Sequence, residues 1–75
     1  MDYRDYIESN SDVMLGKPVI KGTRITVELI LKKLSEGASA EDVVLAYPHL
    51  THVSVNAALA YASDMVSNET LIAAA

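Results

Sequence analysis

No cysteine, phenylalanine or tryptophan occurs in this chain of 75 residues, and no lysine or arginine follows Lys33. Each absence removes a class of explanation. Without cysteine there is no disulfide to staple so short a chain, and no thiolate metal site. Tyr3, Tyr6, Tyr47 and Tyr61 are the only large rings. Glycine occurs three times and proline twice, so no low-complexity linker divides the chain, and the whole of 1–75 reads as a single small domain. The apolar fraction of 51% comes mainly from Ala, Val, Leu and Ile. A single core of this size rarely suffices alone, so an apolar-rich chain without staples points to burial in an oligomer, most simply a homodimer.

Charge is unevenly placed. The first 33 residues hold all six cations and five acids, a net +1; the remaining 42 hold five acids and no cation, a net −5, which together give −4. Nucleic-acid affinity comes from cations that neutralise phosphates, so any DNA contact falls to the N-terminal half. The acidic half suits a basic protein partner. Asp2, Asp5 and Glu8 fall at helical spacing, which reads as a solvated acidic stripe. A polar, acidic start is unlike a signal peptide. From Val43 to Ser63 there are 21 residues without Asp, Glu, Lys or Arg. Pro48, His49, Thr51, His52, Ser54 and Asn56 in its middle disfavour a membrane span. The expected location is the cytoplasm.

The glycine-bearing block Gly16 to Ile25 is the densest in information. Val19-Ile20 and Thr23–Val27 are strand formers, and Lys21-Gly22 between them can supply the positive φ of a two-residue turn. The pattern predicts a β-hairpin over about residues 13–26. Three helices follow. The first is expected over 27–36, with Val27, Ile30, Leu31 and Leu34 on one face, Thr26 as cap and Gly37 as terminator. The second, over 40–47, starts at Ser39 with Asp42 three residues on, and stops before Pro48. The third, over 51–66, is capped by Thr51 and turns Val55, Ala58, Leu59, Ala62 and Val66 to the core. Ser67-Asn68 reads as a break, and the tail over 67–75 ends in Leu71–Ala75, either frayed or an apolar strip that a partner covers.

A short helix, a tight turn and a longer helix make the helix-turn-helix outline. In that reading Thr51, His52, Ser54 and Asn56 meet base edges or phosphates, and Lys17, Lys21 and Arg24 supply phosphate contacts. Catalytic constellations are thin. Gly16-Lys17 runs into Pro18 and lacks the glycine spacing of a phosphate loop. His49 and His52 lack further ligands for a metal. No cofactor and no enzymatic activity are expected.

Gly16–Ile25, followed by Leu34-x-x-Gly37, Glu41-Asp42-Val43 and Tyr47-Pro48-His49-Leu50-Thr51, resembles a bacterial domain-of-unknown-function family, number 433 in its series. The resemblance covers about Ser11 to Ala62. It implies a mainly α, homeodomain-like three-helix helix-turn-helix with a short N-terminal β-hairpin. It also implies a dimeric VapB-type antitoxin that neutralises a PIN-like ribonuclease toxin and binds its own promoter, double-stranded DNA. The chain departs from the family pattern in two places: Thr26 stands where proline is frequent, and His52-Val53 replace an acidic pair. Two alternatives stand beside this reading. One is a homodimeric interaction module without DNA binding. The other is a ribbon-helix-helix repressor, echoed by Arg24–Leu29 but opposed by Pro48 and by a short first helix.

Overall fold

Thr26 ends an extended segment and starts a helix: its hydroxyl accepts a hydrogen bond from the Leu29 amide at 3.0 Å. In the computed structural model, which describes residues 1–68, the helices are α1 (Val27–Ser35), α2 (Ala40–Ala46) and α3 (His52–Ser67). Each end has a local chemical cause. At the end of α1, Gly37 has φ +102°, the Gly37 amide bonds Leu34 O at 3.1 Å, and the Ala38 amide bonds Lys33 O at 3.1 Å. Those two bonds are a Schellman closure, which calls for a left-handed residue at that position. For α2, the Ser39 hydroxyl accepts from the Asp42 amide at 3.0 Å and the Asp42 carboxylate accepts from the Ser39 amide at 2.9 Å. That reciprocal box satisfies two otherwise orphan donors. It also holds the Asp42 carboxyl below its ordinary pKa, through the backbone bond from Ser39 first. The helix ends at Tyr47, the residue before Pro48.

The N-terminal ribbon forms, but from other residues than the local pattern suggests. Strand β1 (Ile7–Glu8) pairs antiparallel with β2 (Val19–Ile20), Ile7 opposite Ile20 and Glu8 opposite Val19. The expected second arm supplies one bridge, Val19 to Thr26. The reason lies in Thr23, whose hydroxyl donates to Ile20 O at 2.8 Å and accepts from the Ile25 amide at 3.0 Å. Such local bonds compete with a ladder, and α1 begins before an arm can lengthen. Gly22 does take positive φ, +77°. It does so at the third position of a turn closed by the Thr23 amide on Ile20 O at 3.0 Å, where a type II turn requires it. The ribbon-helix-helix reading needs a strand over Arg24–Leu29, and Val27–Leu29 are instead helical. The acidic residues near the start share no helical face either: Tyr3–Asp5 is one 3-10 turn and Glu8 lies in β1.

The core gathers Ile20 from β2, Val27 and Ile30 from α1, Val43 from α2, Leu50 from the turn, and Val55 and Ala58 from α3. Leu50 precedes the cap of α3 and Val55 is four residues into the helix, the two ends of a hydrophobic staple that fixes the entry angle. Leu59 and Val66 do not join it: they are 45% and 63% exposed. With sixteen residues against nine and seven, α3 runs past the helices it packs on. Of the tail expected over 67–75, Ser67 still belongs to α3 and residues 69–75 lie outside the described residues. Among the described residues no helix is long and apolar enough to cross a membrane.

Candidate binding surface

Residues Asn10 to Lys17 fold into a tight loop. The Asp12 amide bonds the Asn10 side-chain oxygen at 2.9 Å and the Val13 amide bonds Asn10 O at 2.9 Å. The Gly16 amide bonds Val13 O at 3.0 Å and the Lys17 amide bonds Met14 O at 3.2 Å. This bonding holds three successive residues at positive φ: Met14 at 49°, Leu15 at 59° and Gly16 at 81°. For methionine and leucine that region costs about 1–2 kcal/mol each, because Cβ crowds the following carbonyl. Leu15 is also 93% exposed and Met14 42% exposed. A strained, hydrogen-bonded loop thus presents two apolar side chains to solvent.

Cations stand beside this knob. Met14, Lys17, Arg24, Thr26, Glu28, Leu29 and Lys32 line a concavity of about 340 Å³. Lys17 Nζ lies 3.1 Å from Glu28 Oε1, with both side chains more than half exposed, so the pair adds little stability. Among the described residues Lys21, Arg24, Lys32 and Lys33 take part in no ion pair with a carboxylate. Glu28 therefore sits as one carboxylate within a rim of three cations.

At the start of α3 the four candidate residues divide. The Thr51 hydroxyl accepts from the Ser54 amide at 3.2 Å, and the Ser54 hydroxyl accepts from the Thr51 amide at 3.2 Å. Ser54 is 6% exposed. Its hydroxyl belongs to the cap and not to a base edge, which corrects its place among the expected DNA contacts; the Thr51 hydroxyl is occupied in the same way. His52 and Asn56 remain exposed, four residues apart on one helix face.

Lys17 lies nearer the middle of α3 than its start, and so away from His52. Lys17 shares a concavity of about 290 Å³ with Pro18, Val27, Glu28, Leu31 and Tyr61. Tyr61 is nine residues beyond His52 on α3, about 14 Å along the axis. Lys17 and Arg24 are brought together with Lys32, which spacing alone did not single out. Met14 and Leu15 also went unnoticed. The signal for them is an apolar run, Val13-Met14-Leu15, directly before a glycine in a short loop that otherwise carries polar residues.

A second feature ties the chain's start to α3. Tyr3 donates its hydroxyl to the Asp64 carboxylate, and its ring meets Tyr61 edge-on at 5.5 Å and 85°. The bond to Asp64 raises the Tyr3 pKa above its ordinary value. Arg4 pairs with Asp2 at 3.0 Å, and its bonds hold the Asp2 carboxyl below the usual range.

Comparison with known proteins places most of this architecture in one family. The family model described as a protein of unknown function, DUF433, matches residues 7–62, from the first residue of β1 into α3. The uncharacterized protein y4eO of Sinorhizobium fredii (strain NBRC 101917 / NGR234) is 32% identical over 59 residues, 79% of this chain and 27% of that protein. The chain thus spans about a quarter of that relative's length. No solved structure matches significantly.

Proposed function

The chain belongs to the DUF433 family of proteins of unknown function, and on that premise we propose that it is an antitoxin-like binding protein that neutralises a PIN-like ribonuclease. Leu15 carries the reading. A leucine 93% exposed forgoes about 1.5–3 kcal/mol of burial free energy, and its φ of 59° adds strain. Costs of this kind gather where a partner recovers them. Met14 widens the apolar contact, while Lys17, Arg24 and Lys32 form a rim suited to carboxylates. Arg24 offers the planar donor fork that pairs best with them. Glu28 pairs with Lys17 and so makes that lysine a poor phosphate contact.

Coexpression provides the test. A PIN-like ribonuclease toxin is coexpressed with the wild-type chain or with Leu15→Glu, and growth and RNA cleavage are followed. The wild type restores growth and the variant does not. Equal rescue by both, or none by either, would sink the reading.

A second reading, binding to promoter DNA, draws on His52 and Asn56, which face solvent together at the start of α3 after a short turn. Phosphate contacts then fall to Lys21 and Arg24. Replacing both with alanine flattens the salt dependence of DNA binding by about one unit per lost contact. No detectable binding at about 50 mM salt, where screening is weak, would remove the DNA reading.

A further inference from the structure

Independently of that function, we infer that α3 pairs antiparallel with α3 of a second copy, about a two-fold axis passing between Ala62 and Ser63. Leu59, Ala62, Ser63 and Val66 recur at i, i+3, i+4 and i+7 and so share one stripe of the helix. The stripe reads the same from both ends: apolar, small, small, apolar. An antiparallel copy therefore sets Leu59 against the partner's Val66 and Ala62 against the partner's Ser63. This is the self-complementarity that an isologous interface requires. The small pair at the centre lets the helix axes approach closely.

Exposure and charge agree with this occupant. Leu59 is 45% and Val66 63% exposed, and Ser63 is exposed between them. Residues close to a two-fold axis meet their own copies, so a charge there repels itself. The stripe carries none. Of the ionisable groups beside it, Asp64 is turned to Tyr3 on the neighbouring flank, and Asp2 and Arg4, which share a concavity with Ser63, are paired with each other. The chain has no cysteine, and among the described residues no cluster of three or more metal-ligating side chains, so association is the staple open to a core this small. With the axis between Ala62 and Ser63 the described parts of the two helices overlap over residues 58–67, about 15 Å by their rise, which is small among specific interfaces, so the dimer is a weak one.

The missing cysteine makes the test clean. Ser63→Cys introduces a single thiol beside the axis, where the two copies come within disulfide reach. On mild oxidation at tens of micromolar it forms a covalent dimer at least tenfold faster than Leu15→Cys, an exposed thiol away from the stripe. In sedimentation equilibrium the wild type exceeds 8.1 kDa and approaches twice that mass. Leu59→Glu and Ser63→Glu weaken self-association at least tenfold, with unchanged helical circular dichroism. An 8.1 kDa species alone, a dimer that survives both glutamates, or equal cross-linking by the two cysteine variants overturns the proposal.

Discussion

Tyr3 and Asp64 are 61 residues apart in sequence and joined by one hydrogen bond. The phenol donates and the carboxylate accepts, so the bond exists only while Tyr3 is protonated. In the folded chain the Tyr3 pKa lies above its ordinary value of 10.0. A raised folded-state pKa contributes stability that is complete below the unfolded value and lost as pH climbs through the folded one. The wild type therefore loses an increment of stability above about pH 10. Tyr3→Phe, which lacks the hydroxyl, loses no such increment. Thermal melts of both proteins between pH 8 and about 11.5 test this; parallel curves would contradict it.

Gly22 separates conformation from contact. A Cβ placed there meets nothing within 4 Å, yet the backbone sits at φ +77°. Gly22→Val consequently destabilises by more than about 1 kcal/mol through backbone strain alone. Gly22→Asn, which tolerates the left-handed region, costs less. Urea denaturation of the pair reads the difference, and equal midpoints would refute the strain argument.

The start of α3 divides into a structural and an exposed part. Thr51→Ala removes the cap and lowers stability by about 1 kcal/mol. Asn56→Ala changes stability by less than about 0.5 kcal/mol and, in the DNA reading, reduces discrimination between promoter and unrelated duplex. Chemical denaturation and competition titration measure the two effects separately.

Leu15→Asn trades the partner contact of the antitoxin reading for stability. Asparagine tolerates the left-handed region and gives up no burial at a position 93% exposed, so the variant gains about 0.5–1 kcal/mol. In the coexpression assay it also fails to restore growth. A less stable variant would show that the loop holds Leu15 without strain.

The helices were legible because their ends are decided within four residues: Thr26, Ser39 and Thr51 each bond an amide three positions on. The ribbon was not, since the partner of Val19-Ile20 is Ile7-Glu8, a pairing set by tertiary context. Leu59 and Val66 match the core period, but a period does not reveal where neighbouring helices stop. The same holds at the candidate surface. Lys17 and Arg24 stood out as cations in a glycine-bearing block, and α1 brought Lys32 to them through its own direction. Nothing in the residue types of Met14 and Leu15 announces positive φ; the hydrogen bonds of the loop impose it.

The clasp between the first residues and α3 also decides what can be attached to this chain. Met1 borders a concavity whose far wall includes Ser63 and Ser67 of α3, whereas the concavity beside the Met14–Leu15 loop is lined by other residues. A fluorophore or short affinity tag at residue 1 therefore emerges beside the α3 stripe. Placed there, a label reads the α3–α3 pairing proposed above and leaves the leucine-bearing loop unobstructed.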